Sequence, residues 1–129
     1  RAALNQDRIN IYGDGSSTRD YIHVDDLCNG IKGAIDRLLK NRTRNFEKYH
    51  LANNREITLL EICDILERYT SKKLEKVFFD QRQGEVVRNC SDYSLAKEIL
   101  SFEPKKDFFD GIVDLYKWIE KTEFNLIEN

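Results

Sequence analysis

Apolar and polar positions along this chain follow a period of two in some stretches and a helical period in others. Ile9 and Ile11 alternate with Asn10 and Tyr12, which predicts a strand, and the "GDGSS" turn follows with glycines that accept positive φ. "DYIHV", residues 20–24, predicts a second strand. The period then becomes helical: Leu27, Ile31, Ala34, Ile35, Leu38 and Leu39 form a one-sided stripe, with Asp25 as the expected N-cap and an end near Asn41. "YHLA" (49–52) predicts a further strand. Thr58 and Glu61 make a capping box for a helix that turns Leu59, Ile62, Leu66 and Tyr69 inward. "KVFF" (76–79) predicts another strand. Asp92 is the expected cap of the short helix "YSLAKEIL", which Pro104 keeps from continuing. Asp107 caps a last helix carrying Phe108, Ile112, Leu115, Tyr116 and Ile119 at helical spacing. The expected fold class is α/β, a small lobe of short strands and three to four helices whose informative residues lie in loops.

Composition narrows the chemistry. The 129 residues are enough for one domain or part of one, and 34% are charged against a usual ~25%, the balance of a small lobe with much surface. The net charge of −2 gives no basic excess for nucleic acid or an anionic membrane, and no apolar run approaches the ~20 residues that span a bilayer. Cys28, Cys63 and Cys90 are odd in number and match no zinc spacing, so a reducing cytoplasm is expected and no metal site. The chain opens on Arg1 and contains no Met, from which an excised piece of a longer protein is expected.

The stretch "IYGDGSSTRDYIHVDD" resembles a phosphate-binding loop only at first sight. Gly13 and Gly15 fit the first two positions of G-x-G-x-x-G, but Thr18 stands at the third, and no Gly-Lys pair exists for a P-loop. His23 beside Asp25 and Asp26 reads as structural, His50 stands alone, and no catalytic constellation is present, so no catalytic residue is assigned.

"IYGDGSSTRDYIHVDDL", "YHLANNREITLLEICDIL", "RQGEVVRNCSDYSLAKEIL" and "DGIVDLYKWI", in that order over nearly the whole chain, resemble the C-terminal part of an extended short-chain dehydrogenase/reductase of the NAD-dependent nucleotide-sugar epimerase and dehydratase family. The resemblance implies that residues 1–129 are the substrate-binding domain of a Rossmann-type two-domain enzyme. It also implies that the N-terminal Rossmann domain, absent here, carries NAD and a catalytic Tyr-x-x-x-Lys pair. The parent reaction it implies is hydride transfer from a sugar carbon to NAD while the Tyr takes the hydroxyl proton. The chain alone is then expected to bind no cofactor and to catalyse nothing. Implied partners are the nucleotide-sugar, the chain's own Rossmann domain and a second copy in a homodimer.

Individual roles follow from the same resemblance. Arg19 and Arg82 match positions that hold the substrate diphosphate, where a planar guanidinium binds oxygens bidentately. Glu85, where the family more often has Asp, matches the ribose contact. Ile9, Asn10 and Tyr12 match the strand that lies along the base, the first two through main-chain groups and Tyr12 as a ring that covers or edges it. The implied function is nucleotide binding for a sugar epimerase resembling UDP-glucose 4-epimerase. Alternatives are the same lobe of a 4,6-dehydratase or reductase and, in another class, a non-enzymatic interaction module.

Overall fold

The structure, a computed structural model, describes residues 1–40 and 46–127, with side-chain surroundings through residue 122. In chain order the elements are α1 (Ala2–Asn5), β1 (Ile9–Tyr12), β2 (Thr18–Asp20), α2 (Val24–Lys40), β3 (Glu56–Thr58), α3 (Leu59–Thr70), β4 (Lys76–Phe79), α4 (Ser94–Leu100) and α5 (Phe108–Ile127). β1 pairs with β4 and β2 with β3, each as a two-stranded ladder. The α/β class is as expected, and α1 is one helix more than the periodicity predicts. Among the described residues no helix is long and apolar enough to cross a membrane.

The chain divides into two units, the first formed by Arg1–Thr18, Ile57–Arg88 and the residues from Asp107. Its strands run parallel in the register Ile9↔Lys76 through Tyr12↔Phe79. Parallel neighbours need a crossover, and α3 lies on the path between these two strands. That helix opens on the predicted capping box: Thr58 Oγ1 accepts from the Glu61 N–H at 3.1 Å, and Glu61 Oε2 accepts from the Thr58 N–H at 2.8 Å. Its buried residues are Cys63 and Ile65, not the expected row through Ile62 and Tyr69. Cys63 forms a core with Ala3 and Leu74, flanked by Ile9, Leu59, Leu66 and Tyr116, and burial pushes its thiol pKa up. Among the α5 residues whose surroundings are described, Val113 is the buried one, whereas Leu115, expected on the inner stripe, is half exposed. Tyr116 of α5 meets the Tyr69 ring edge-on at 5.5 Å. Asp107 caps α5 as predicted, accepting from the N–H groups of Phe109 and Asp110 at 2.8 and 3.3 Å.

The return from α3 to β4 is held by one carboxylate. Glu67 accepts from the Leu74 N–H at 3.0 Å and from the ammonium groups of Lys73 and Lys76 at 2.9 and 2.6 Å. These donors, Lys76 first, hold its pKa at about 2, below the ordinary 4.5.

The second unit comprises Arg19–Glu56 and Asn89–Lys106. Here α2 packs on α4. A Cβ on Gly30 would lie 2.7 Å from Leu51 Cδ1 and 3.0 Å from Phe102 Cδ2, so the missing side chain is what allows this approach. That packing also explains why "YHLA" is not a strand. Leu51 and Ala52 are apolar because they pack as irregular chain, Leu51 against α2, and the strand comes later, at β3.

Two carboxylates tie the unit's segments together. Asp20 accepts from the N–H groups of Asn53, Asn54 and Ser91 at 3.0, 3.1 and 3.1 Å. Asp26, 5% exposed, accepts from Lys105 and Lys106 at 3.1 and 3.0 Å. The predicted strand 20–24 is replaced accordingly: β2 ends at Asp20 and α2 has begun by Val24. Asp25 lies inside the first turn, and His23 takes the capping role through Nδ1, which accepts from the Asp25 N–H at 3.2 Å. The helix runs through Lys40, and the expected end near Asn41 lies outside the described residues. Asp92 accepts from the Ser94 N–H at 2.8 Å at the start of α4, one residue before the boundary position Tyr93. That helix is stopped by Ser101 in the left-handed region (φ 54°), where the Phe102 N–H closes onto the Ala96 carbonyl at 3.2 Å, before Pro104 is reached.

Replacing Asp20 by Ala leaves three loop N–H groups without their acceptor, and is expected to cost on the order of 2–3 kcal/mol, read as a lower urea midpoint. A midpoint unchanged from the parent chain would show that water replaces the carboxylate at no cost. For Glu67 the sign follows from its lowered pKa: its contribution is complete above pH 4.5 and is lost as the pH falls toward 2. Glu47, held at about 2 by Arg37 and then Tyr49, acts in the same window. The unfolding midpoint should fall across that range, and Glu67→Gln should remove part of the slope; superimposable profiles would exclude Glu67 as a source.

Candidate functional site

The first unit gathers several of the sequence-predicted residues at one end of its parallel ladder. Tyr12 and Phe79 are the last residues of β1 and β4 and stand opposite each other, their rings stacked with centroids 5.6 Å apart and planes at 30°. Directly beyond, the Gly13 N–H closes onto the Phe79 carbonyl at 2.9 Å, and the chain turns through Gly13 and Gly15 at φ 78° and 79°. Asp14 holds that turn, accepting from the Ser16 N–H and hydroxyl at 2.9 and 2.6 Å, and these donors keep its pKa below the usual value. Gly15 is buried so closely that a Cβ would lie 2.8 Å from Leu60 Cγ. The turn runs into β2 and not into a helix, so it offers no helix N-terminus to a pyrophosphate. A dinucleotide cradle does not fit these residues.

Beyond β4 the segment from Gln81 to Val87 folds back. Its turn is closed by the Glu85 N–H donating to the Arg82 carbonyl at 3.2 Å, with Gly84 at φ 79°, the conformation that the third residue of a type II turn requires. The Thr18 N–H then donates to the Val87 carbonyl at 2.9 Å. The result is that the exposed Arg82 lays its guanidinium over the Tyr12 ring, the central carbon 3.6 Å from the centroid. Cation–π contact uses the flat face of a guanidinium and leaves its N–H donors pointing outward in the plane. No carboxylate pairs with Arg82 among the described residues. Glu85 is half-buried, with its Oε2 shielded from water.

The strand's main chain offers a second set of groups. The Ile9 N–H donates to the Glu75 carbonyl at 2.8 Å and the Gly13 N–H to Phe79, so by the alternation of a ladder Asn10 and Tyr12 turn theirs to the opposite edge. The donor expected from Ile9 is therefore committed within the sheet. Arg19 lies in β2, half-buried, and belongs to the second unit. Asp20 beside it is a positioning residue that sequence reasoning missed; a lone Asp before an apolar run gives no hint of loop N–H partners far along the chain. Phe79 was missed for a similar reason, because "KVFF" reveals an aromatic pair but not which ring ends up beside Tyr12. Among the described residues no group of three or more His, Cys, Asp or Glu is placed to hold a metal ion.

The chain is similar to known proteins in sequence and in fold. The family described as GDP-mannose 4,6 dehydratase matches residues 1–115. The chain is 34% identical over 109 residues to a dTDP-glucose 4,6-dehydratase of Actinoplanes sp., covering 84% of this chain and 32% of that protein. The crystal structure of UDP-glucuronic acid 4-epimerase from Bacillus cereus in complex with UDP-glucuronic acid and NAD superposes with a TM-score of 0.83 at 26% identity, over 94% of this chain and 38% of that one. UDP-glucose 4-epimerase with UDP-glucose from Thermotoga maritima does so with a TM-score of 0.79 at 29% identity, over 94% and 37%. The chain thus spans about a third of the length of these relatives. Because one family covers it from Arg1 through the middle of α5, the chain belongs to the GDP-mannose 4,6 dehydratase family, among the extended short-chain NAD-dependent nucleotide-sugar epimerases and dehydratases.

Proposed function

We propose that this chain is the C-terminal, nucleotide-binding part of an NAD-dependent nucleotide-sugar epimerase, working with a Rossmann domain that carries NAD and the proton-transfer residues. The observation that carries this reading is Arg82, exposed and seated over the Tyr12 ring at the carboxyl ends of two parallel strands. The carboxyl ends of parallel strands are where open α/β sheets bind ligands, and the planar fork of a guanidinium matches a diphosphate. Arg82 is the diphosphate ligand in this account. Glu85 accepts from the ribose hydroxyls, and the base lies along the open edge of β1 at Asn10 and Tyr12. The assignment of Arg19 to the diphosphate rests on the resemblance of its block.

The lobe contributes positioning: binding energy from the nucleotide, which does not react, holds the sugar where hydride and proton leave it. The epimerase reading is supported by the two epimerase structures, each described with a UDP-sugar. A dehydratase is the second reading, favoured by the family match and by the relative at 34% identity. The homodimer is the assembly the resemblance implies. A cytoplasmic setting accords with Cys28, Cys63 and Cys90, none of which forms a disulfide.

Calorimetric titration of the full-length enzyme tests the site. The unmodified enzyme should bind uridine or thymidine diphosphate more tightly than the monophosphate, and Arg82→Ala should shrink that difference. Arg19→Lys keeps the charge but loses the bidentate fork, and should weaken diphosphate binding by ~10- to 150-fold. A diphosphate preference untouched by Arg82→Ala would remove Arg82 from the site, and unchanged affinity in Arg19→Lys would remove Arg19.

A further inference from the structure

The helix α2 is amphipathic in the reverse of the usual sense. Towards its own unit it turns polar and small residues. Asp26 accepts from the Lys105 and Lys106 N–H groups, and Arg37 donates to both oxygens of Glu47 at 2.7 and 2.8 Å. Gly30 meets Leu51 and Phe102, and a Cβ on Gly33 would touch Leu100 at 3.6 Å. At about 100° per residue these four positions share one side of the helix.

The opposite side carries Val24, Cys28, Ile31, Ile35 and Leu38, in alternate steps of four and three residues, with Leu39 beside them. The large side chains in this row are between 47% and 75% exposed, and Cys28 is exposed with them. Ile31, Ile35, Leu38 and Leu39 belong to the stripe that periodicity predicts, yet the unit that holds the helix does not bury them. Steps of four and three keep a row on one side over several turns, so the stripe is continuous along α2. A folded protein rarely leaves such a row to water, and its presence marks a surface that another body covers.

Chain length and fold identify that body. The chain spans about a third of the length of its relatives, so a parent of their size has a second body joined covalently to this one. Tethering gives that body an effective concentration on the order of millimolar, an advantage that a second copy lacks. A Rossmann domain has the matching requirement. Its mostly parallel sheet has apolar faces that helices must cover, and α2 offers an apolar side while its polar side is already satisfied.

We propose that the stripe Val24, Cys28, Ile31, Ile35, Leu38 and Leu39 is the surface on which the Rossmann domain of the same polypeptide docks. This rests on the reading that the parent enzyme carries such a domain. The helix then lies between two bodies, joined to one through Asp26, Gly30 and Arg37 and to the other through its apolar row.

Cys28 lies in the stripe and is a built-in probe. The full-length enzyme, assayed for NAD binding, is treated with iodoacetamide, and modification is followed by peptide mass spectrometry with the urea-unfolded protein as reference. Cys28 should react ~10-fold or more slowly in the native enzyme than in urea, because alkylation must wait for the interface to open. Ile35→Glu puts a charge into that interface, and should expose Cys28 and leave the subunit count by sedimentation unchanged. Ile35→Ala acts in the same direction and is the milder substitute should Ile35→Glu fail to fold. Cys28 reacting in the native, NAD-binding enzyme as fast as in urea would overturn the inference and leave the reading of the parent standing. Cys28 that stays protected in the folded Ile35 variant would also overturn it. A fall to monomers in the variant that exposes Cys28 would assign the stripe to a second copy and overturn it as well. A full-length protein that binds no NAD would remove the reading of the parent and the inference with it.

Discussion

The parallel pairing of β1 with β4 is the constraint on which the candidate site depends. It sets Ile9 against Lys76 and Tyr12 against Phe79, residues far apart in the chain, and so places two aromatic rings side by side where both strands end. Parallel strands cannot be joined by a hairpin, so the register is set by what lies between them. Here that is α3, opened by the Thr58–Glu61 capping box and packed through Cys63 on Ala3 and Leu74, and the return to β4 clasped by Glu67. Lys76 serves both purposes, since it pairs with Ile9 in the ladder and donates its ammonium to Glu67. A helix cap and an ion-paired carboxylate thus act at a distance on which side chains meet at the strand ends.

In the second unit the organising groups are carboxylates bonded to loop N–H groups. Asp20 gathers Asn53, Asn54 and Ser91, and Asp26 gathers Lys105 and Lys106. Irregular chain needs such acceptors, because a buried N–H without one is costly and no ladder is there to supply it. Asp20 follows Arg19 directly in β2, so the residue that sets the loops and the residue assigned to the ligand share one short strand. The glycines contribute differently. Gly30 and Gly15 are places where a Cβ would collide with Leu51 and Leu60, and they let helices and turns come into direct contact.

What could be read from the residues themselves was local. The alternation in Ile9–Tyr12, the run Lys76–Phe79, the capping box at Thr58 and the Asp107 cap each depend on neighbours within one turn or one strand, and each is found where it was expected. The family was legible too, because four ordered blocks survive in the chain. Misreadings share a cause: in "DYIHV" and "YHLA" the apolar residues pack as irregular chain or enter a helix, and nothing local distinguishes that from a strand. Of the stripe Leu59, Ile62, Leu66, Tyr69, the residues Leu59 and Leu66 do pack on the core, but the fully buried positions of α3 are Cys63 and Ile65, which depends on the neighbours the helix meets and not on its own periodicity.

By itself, then, the sequence determined the α/β class, the helices with strong caps, the turn that demands glycine at positions 13 and 15, and Arg19, Arg82, Glu85 and the strand from Ile9 as the residues to examine. Only the tertiary structure decided their partners. That Arg82 lies on Tyr12, that Phe79 stacks with the same ring, that the Ile9 N–H is committed to Glu75 while Asn10 faces outward, and that Asp20 holds N–H groups of two separate loops all follow from strand register and from chain segments meeting across long stretches of sequence. Caps and turns are decided by energies within a few residues of each other. Stacking, register and buried carboxylate bonds are decided only when the whole unit has packed.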